Sequence, residues 1–473
     1  MGDTDPRDPR DEEIARLRTE NEQLKARVSE LERMVERLTQ KVDEALRASK
    51  RQAAPFSKGD PKANPKTRGR KPGGDYGLKF HREPPDKIDE VLEAPLPPRC
   101  ECGDLIEERE VVQQYQEEIP QEPIRRRIDI HVGACRGCGK RHQGRHPFQT
   151  SDAVGAAAAQ LGPRAQTTIA TLKEEAGVSY GRIETIFQRI WGIDISRGGA
   201  AHVVLRVGRR LDAPYQGILT TVRRSRTVYP DETGWKVGGW LQWLWDFVCR
   251  TATAYVIRDS RGHDVVEKVL GLDWPGVAVH DGWAPYDFLK KATHQQCLAH
   301  IQRRCRLILE TATRGAVRFP RAVLEFLSDA FAVRERRDAG EYAVKGLAIA
   351  IGQLEGRLEE LLDWKLTNAA NRTFANHLRH HQHELLTFLS HPWVEATSWP
   401  ADLAIRGAVA NRKIFGGNRD ESGARAFERV LSVLATCVKR GVDAFSYIGR
   451  VLTAPPDQRD RLACRLLRLP APS

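Results

Sequence analysis

Residues 227–235 read TVYPDETGW, and this stretch decides the fold class of the chain. The apolar start leads into Asp231, and two further runs rich in aromatic and β-branched residues follow, Trp240 to Cys249 and Ala252 to Arg258. Runs of this composition, separated by short polar breaks, predict β-strands. The sequence therefore predicts an antiparallel meander with Asp231 at the end of its first strand.

A second aspartate follows the next predicted strand. Gly262 to Leu270 has a helical pattern, and the apolar run Val277 to His280 then ends on Asp281. One crossover can bring Asp281 beside Asp231, and paired carboxylates at strand ends are hard oxygen ligands for a divalent metal. Taken alone, each aspartate is better explained by a structural role, Asp231 as a helix N-cap or turn residue and Asp281 as part of an Asp-Gly turn. Glu232 points to the opposite strand face, where it acts indirectly or is solvated.

Length, charge and cysteine content limit the class of protein. A chain of 473 residues predicts two to four folded units. Its net charge of +12 favours a polyanionic partner, nucleic acid above all. The sequence contains no apolar run of membrane-spanning length, and we expect a soluble protein of the bacterial cytoplasm, associated with the nucleoid when bound to DNA. Nine unevenly spaced cysteines indicate thiols or metal ligands.

The first 47 residues have a heptad repeat. Asn21 shares the first seam with β-branched residues, and leucines occupy the second, a pattern typical of a parallel two-stranded coiled coil. The alternative is one amphipathic helix packed on its own domain. The seam positions are Ile14, Val28, Val35 and Val42, and Leu17, Leu24, Leu31 and Leu38.

Residues 48–92 form a basic linker rich in proline and glycine. Arg68, Arg70 and Lys71 lie in a compact run whose arginines could enter a narrow minor groove of DNA. A solvated charged tether explains the same composition equally well.

A small cysteine module is predicted at residues 93–148. Two pairs, Cys100 with Cys102 and Cys135 with Cys138, flank strand-like stretches at Val111 to Glu118 and Ile124 to His131. Four thiolates in two pairs suit tetrahedral Zn²⁺ in a zinc-ribbon-like module. The first spacer is one residue short of the usual two, so free or redox-active thiols are the alternative, with His142 as a substitute ligand.

Residues 149–220 are predicted to be helical. Thr168 to Glu175, a turn at 177–179 and Tyr180 to Trp191 together resemble a helix-turn-helix, although a plain helical hairpin fits as well. Arg182 and Arg189 would suit phosphate contacts.

Four short strings carry a resemblance to a known family. The DETGW string at 231–235, the DG-x-x-x-Y string at 281–286, QC-x-AH at 296–300 and RK-x-FG at 412–416 resemble the transposases of the insertion sequence 66 family. The zipper, basic linker and cysteine module extend the similarity over nearly the whole chain. The resemblance implies a ribonuclease-H-like domain with an Asp-Asp-Glu triad and a helical insertion. Asp231 and Asp281 match its first two acids.

The third acid differs from the family pattern. Asp402 stands where the family has Glu, and Ser398 and Trp399 replace two family Asn residues. Asp is one methylene shorter, and a displaced ligand weakens positioning. Glu395 is the fallback third ligand. Arg406, Arg412 and Lys413 are retained as predicted phosphate contacts, whereas His300 is expected at a polar helix start, supporting the active site, or else in a further metal site with Cys297 and His294.

The predicted architecture is a multidomain α/β chain. We divide it into a coiled coil at 1–47, a linker at 48–92, a zinc module at 93–148, a helical DNA-binding region at 149–220, a catalytic domain at 221–300 and 395–455, a helical insertion at 301–394 and a tail at 456–473.

The predicted function is that of a transposase of a bacterial insertion sequence. It would use Mg²⁺ or Mn²⁺ to cut and join double-stranded DNA at the terminal inverted repeats and the target, as a homodimer or higher oligomer and with accessory proteins where these are needed. A catalytically decayed or repurposed DNA-binding protein is the alternative. A metal nuclease acting on RNA is disfavoured by the zipper and the linker.

Overall fold

The computed structural model describes residues 9–49, 85–91, 113, 122–150 and 160–470. Its first element is the helix α1 (Pro9–Ser49), which confirms that the heptad segment is helical. The described seam residues from Leu17 to Leu38 are each about half exposed in the single chain. The pairing of two such helices remains a prediction.

The cysteine module contains a small hairpin. β1 (Val132–Ala134) pairs antiparallel with β2 (Arg141–Gln143), and Cys135 to Cys138 form the loop between them. The strand predicted at Ile124 to His131 is wrong, because those residues have no regular structure. Most of that run is exposed, so it lacks the half-buried surface on which strand pairing depends. Most of the earlier predicted strand, Val111 to Glu118, lies outside the described residues.

Between residues 160 and 226, all of which the structure describes, four helices lead into the sheet. They are α2 (Pro163–Glu174), α3 (Tyr180–Trp191), α4 (Arg197–Arg210) and α5 (Asp212–Arg223). Gly177 has φ +67° in the turn before α3, and the Ser179 hydroxyl accepts the Arg182 N–H as N-cap. The structure thus confirms the two predicted helices, α2 and α3, on either side of the turn at residues 177–179.

A five-stranded mixed sheet forms the centre of the chain. Its elements are β3 (Thr227–Val237), β4 (Trp240–Val248), β5 (Thr253–Arg258), the crossover helix α6 (His263–Leu270), β6 (Val277–His280) and β7 (Thr293–Gln296). The order is β5-β4-β3-β6-β7, with β3, β4 and β5 antiparallel and β6 and β7 added in parallel. The predicted meander and crossover are confirmed, whereas β7 was not predicted.

The predicted helical insertion follows β7. It consists of α7 (Leu298–Thr311), α8 (Arg318–Asp338), α9 (Val344–Leu362), α10 (Ala369–His380) and α11 (Thr387–Ser390). The helical sequence pattern from Asn371 to Leu389 does not form one continuous helix, because α10 ends at His380 and a 3₁₀ turn precedes α11. After this break, the start of α11 contacts β7, where the Thr387 hydroxyl donates a hydrogen bond to the His294 carbonyl over 2.7 Å.

Four helices follow among the described residues after position 395, and one of them packs against β5, the edge strand opposite β7. They are α12 (Trp399–Phe415), α13 (Glu421–Lys439), α14 (Ala444–Thr453) and α15 (Arg459–Leu466). Along α13, Glu428, Ser432 and Thr436 accept the backbone N–H groups of Ile257, Tyr255 and Thr253. A helix thereby satisfies the free edge of β5, which would otherwise offer unpaired donors.

Alternation along the strands separates two faces. Val228 and Trp245 belong to the large core that α2 to α6 and α13 share, whereas Trp235 and Leu244 pack with Ala408 of α12. Successive strand residues alternate between these faces. The face that α12 covers is therefore the one to which odd-numbered residues of β3 and even-numbered residues of β4 point.

Among the helices of the described residues, none combines the length and the apolar character that a membrane-spanning segment needs.

Candidate active site

Asp231 lies inside β3 rather than at its end. The antiparallel pairing of β3 with β4 runs from Tyr229 to Val237, past Asp231, so the predicted strand-end position is wrong. The parallel pairing with β6 is short: Thr227 pairs with Val277, and Val228 pairs with Ala278. Asp231 and Asp281 lie four residues beyond Thr227 and Val277, past the end of this pairing, and the charge of Asp281 contributes to the raised pKa of Asp231. The two carboxylates are therefore near each other.

Asp281 follows β6 directly, as predicted, and opens a tight turn. Its carboxylate accepts the Trp283 N–H over 3.0 Å. Gly282 has φ +87°, and a Cβ atom there would lie 2.5 Å from Gln296 Oε1 and 2.9 Å from His377 Cε1. Glycine is required at this position both by the backbone angle and by the close neighbours.

Asp246 is a further carboxylate beside Asp231 that the sequence reasoning missed. It is directly opposite Asp231 in the β3–β4 ladder, so both side chains lie on the face covered by α12. Asp246 is completely buried, and neither carboxylate oxygen has a hydrogen-bond partner among the described residues. The available signal was a single acid in an otherwise apolar aromatic strand.

The electrostatics of the carboxylates show that they are crowded. Burial raises the pKa of Asp231 to about 7, with further increases from the charges of Glu232, Asp402 and Asp281 and a decrease from the Glu232 N–H that it accepts. Burial, and then the neighbouring Asp231, raise the pKa of Asp246 well above its usual value. Burial and the neighbouring carboxylates thus both disfavour the charged forms of these two acids.

Asp402 lies in the first turn of α12, and its N–H donates to the Ser398 carbonyl over 3.0 Å. It is half-buried, and its charge contributes to the raised pKa of both Asp231 and Asp246. Glu395, the fallback ligand, instead forms a 2.8 Å ion pair with Arg334. Among the described residues, Asp231, Asp281 and Asp402 do not form a group whose ligand atoms all lie within 4.8 Å of one another.

Glu232, on the opposite strand face, is bound rather than solvated. Its carboxylate accepts two hydrogen bonds from Arg261 and one from the Tyr286 hydroxyl, and its side chain is 4% exposed. The Arg261 guanidinium lies over the rings of Trp243 and Trp283, at 4.6 and 4.2 Å. This ion pair connects β3 to the turn that carries Asp281.

His300 lies in the first turn of α7, confirming the predicted helix start. The contact with Cys297 raises the pKa of His300, as does the nearby charge of Asp281, against the effect of burial. His294 contacts His280 over 2.9 Å and the Leu289 carbonyl. Among the described residues, the ligand atoms of Cys297, His294 and His300 do not all lie within 4.8 Å of one another, so the alternative metal site is not formed.

Comparison with known proteins identifies the family. The family model described as Transposase IS66 family matches residues 158–426, more than half of the chain. The chain belongs to the IS66 transposase family. The match begins before α2 and ends within α13, so it includes the sheet, the insertion and all three predicted acids. No curated protein matches the chain.

The predicted DNA contacts of this IS66-family chain differ in their surroundings. Arg182 on α3 and Arg406 and Lys413 on α12 are exposed. Arg412 is half-buried, and its guanidinium donates to the Thr233 hydroxyl over 2.8 Å and to the Gly234 carbonyl. Its position therefore favours a role in holding α12 on β3. The predicted contacts of the linker, Arg68, Arg70 and Lys71, lie outside the described residues.

The predicted zinc ligands are described only in part. Cys135 and Cys138 are exposed and not in a disulfide, and hydrogen bonds from the Cys138 and Gly137 backbone lower the pKa of Cys135. A lowered thiol pKa favours the thiolate that a metal requires. Cys100 and Cys102 lie outside the described residues.

Proposed function

We propose that this protein cuts and joins DNA strands at the ends of an insertion sequence, with Asp231, Asp281 and Asp402 as the catalytic carboxylates. The observation that carries the proposal is the nearness of Asp231 and Asp281, since β3 pairs with β6, β6 ends directly before Asp281, and the charge of Asp281 acts on Asp231. Asp402 enters from α12, which packs on the face to which Asp231 points. The mixed sheet, with its parallel extension, supports a ribonuclease-H-like catalytic domain.

The surroundings of the carboxylates fit a divalent cation. The donors are carboxylate oxygens, which suit Mg²⁺ or Mn²⁺ better than softer metals. A cation bound here would favour the ionised form of Asp231, whose pKa burial raises, and could be coordinated by the oxygens of Asp246, which have no hydrogen-bond partner among the described residues. When bound, Mg²⁺ or Mn²⁺ would stabilise the charge that develops during in-line displacement at a phosphodiester.

The residues of the chain would hold the reacting groups in place. The Trp283 N–H and the Gly282 turn fix Asp281, while the Arg261–Glu232 pair fixes the same turn from the opposite side of the sheet. His300, close enough to Asp281 to be affected by its charge, would support the site at the start of α7. The reaction needs no covalent protein intermediate, because water and a freed 3′ hydroxyl are the nucleophiles.

Exposed basic residues would bind the DNA backbone. Arg182, Arg406 and Lys413 are free to contact phosphates, and the net charge of +12 favours such contacts. The basic linker, the cysteine module with structural Zn²⁺ and the paired helices α2 and α3 would together recognise the element ends. The helix α1 would join two protomers so that two ends meet, in the bacterial cytoplasm and with accessory proteins where the reaction needs them.

Strand cleavage on end-sequence DNA with Mg²⁺ or Mn²⁺ tests the proposal. Asp231→Ala and Asp281→Ala should abolish cleavage, while end binding in a mobility-shift assay stays within a few-fold of wild type. Glu395→Ala is the matched control, since Glu395 is paired with Arg334, and it should retain cleavage. Loss of DNA binding together with cleavage would contradict catalytic roles for the two aspartates and indicate structural ones.

One observation favours a second function. The three acids do not converge within 4.8 Å of one another, and Asp402 is shorter than the family's Glu. A protein of this kind could bind element ends without cutting them. Wild-type protein that binds the ends and leaves them intact with both Mg²⁺ and Mn²⁺ would establish this DNA-binding function in place of the enzyme.

A further inference from the structure

A group of metal-ligand side chains lies where the helical insertion meets the sheet. Asp287 belongs to the short 3₁₀ helix Ala284–Phe288 after β6, His380 is the last residue of α10, and His381 follows it. One ligand atom from each residue lies within 4.8 Å of the others. His380 Nε2 is 3.5 Å from Asp287 Oδ2. Residues far apart in the chain are thus brought to one point.

The buried histidine of this group, His381, is held in a defined orientation. His381 is 4% exposed, and its Nδ1 lies 2.9 Å from Glu384 Oε2. The same carboxylate oxygen accepts the Gln296 side-chain N–H over 2.6 Å. This is the arrangement in which a carboxylate orients a metal-binding imidazole, and it leaves Nε2 of His381 as the ring nitrogen available to an ion.

We propose that Asp287, His380 and His381 bind a Zn²⁺ ion that fastens the helical insertion to the turn after β6. Two imidazoles and one carboxylate are a donor set that favours Zn²⁺ over Mg²⁺, which prefers oxygen ligands. Three protein ligands leave one position for water. This site is additional to the three catalytic carboxylates and to the cysteine module.

The location explains what such an ion would do. The ring of His377 is 4.7 Å from the ring of His381, centroid to centroid, and His377 Cε1 would be 2.9 Å from a Cβ atom on Gly282. The end of α10 therefore touches the turn that begins with Asp281. An ion between Asp287 and the two histidines fixes that contact, and with it the position of the insertion relative to Asp281.

Zinc content measures the proposal directly. After equilibrium dialysis against Zn²⁺, the wild-type full chain should retain one more ion than an Asp287→Asn/His380→Ala double variant, whatever the cysteine module retains. Both substituted side chains are at least partly exposed, so the fold should survive, as far-ultraviolet circular dichroism can verify. His383→Ala is the matched control, because His383 is exposed and outside the ligand group, and it should retain the wild-type content. Equal zinc content in wild type and double variant overturns the proposal.

Two further measurements separate this site from the thiols and test the fastening. Co²⁺ in place of Zn²⁺ should add d–d absorption that the double variant lacks, while the d–d and sulfur charge-transfer bands of any cysteine-bound ion stay in both proteins. Hydrogen exchange across residues 369–390 should slow at least several-fold on addition of Zn²⁺ to wild type and remain unchanged in the double variant. Equal exchange with and without Zn²⁺ in wild type overturns the fastening role.

Discussion

At the scale of single residues, the carboxylates around Asp231 oppose folding when they are ionised. Asp246 is fully buried beside Asp231, and burial raises the pKa of both. A carboxyl group whose pKa is raised on folding contributes stability that is fully present below its unfolded pKa and is lost as the pH rises through the folded value. For Asp231 this window runs from its ordinary value of 3.8 to about 7.

Without divalent metal, the protein should lose stability between pH 5 and pH 8. A shift of about three pKa units corresponds to on the order of 4 kcal/mol, so Asp231→Asn should melt at a higher temperature than wild type at pH 8 and show a smaller decrease between the two pH values. Thermal melts in chelator at pH 5 and pH 8 measure this. The exposed Asp457→Asn serves as control. A steeper pH dependence in Asp231→Asn than in wild type would contradict the assigned direction.

Two neighbouring basic residues on α12 should behave differently when substituted. Arg412→Ala removes a half-buried guanidinium from Thr233 and the Gly234 carbonyl, and it should cost about 1–3 kcal/mol of stability. Lys413→Ala removes an exposed ammonium, so it should leave the melting temperature unchanged and reduce the salt dependence of DNA binding by about one counterion. Thermal melts and binding titrations at several salt concentrations distinguish them. The reverse pattern would show that Arg412 is the phosphate contact.

At the scale of elements, α12 determines whether the third acid reaches the other two. Asp402 is held in the first helical turn by its N–H bond to Ser398, so its carboxylate extends less far toward β3 than that of a glutamate would. If Asp402 is a ligand, Asp402→Glu should increase the rate of strand cleavage, and Asp402→Asn should lower it about 100-fold or more. Single-turnover cleavage with Mn²⁺ measures both. Equal cleavage rates in wild type, Asp402→Glu and Asp402→Asn would show that Asp402 is not a metal ligand.

The helices and strands also show which features sequence patterns can predict. The β3–β5 meander, α6, β6 and α9 are predictable because their apolar residues recur in the sequence with the spacing typical of a strand or a helix. β7 reads Thr-His-Gln-Gln and has no apolar pattern that would predict a strand. Gln295 and Gln296 are buried there because they form hydrogen bonds with residues about 90 positions away, which the local sequence does not reveal. The break after His380 has a similar origin, since contacts with β7 override the helical pattern.

The candidate site was predictable only where it depends on local sequence. Asp281 at a strand end next to glycine is visible in the chain, and so is Asp231 as an acid after an apolar run. The position of Asp231 within its strand depends on how far the hairpin with β4 continues, and Asp246 becomes part of the site only through its cross-strand register. Register and burial belong to the folded sheet, so a single sequence contains little information about them.

At the scale of the whole molecule, the proposed function brings two element ends together, and α1 is the element that we propose joins two protomers. Its seam leucines, Leu17, Leu24, Leu31 and Leu38, are 52–59% exposed in the single chain. A helix of 41 residues with exposed leucines at heptad spacing gains stability by burying them against a second copy. Asn21 at one seam position favours a parallel pair in fixed register.

If α1 pairs two protomers as proposed, charged residues in that seam should convert the dimer into a monomer. Leu24→Glu/Leu31→Glu places like charges at the centre of a parallel pair, whereas Ala26→Glu/Arg33→Glu changes outer heptad positions of the same helix and should leave the dimer intact. Light scattering after size-exclusion chromatography gives the mass of each protein. The seam variant should still bind one element end, because α3, the linker and α12 are unchanged, but it should fail to hold two ends in one complex. An unchanged mass for the seam variant would place the protomer contact elsewhere in the chain.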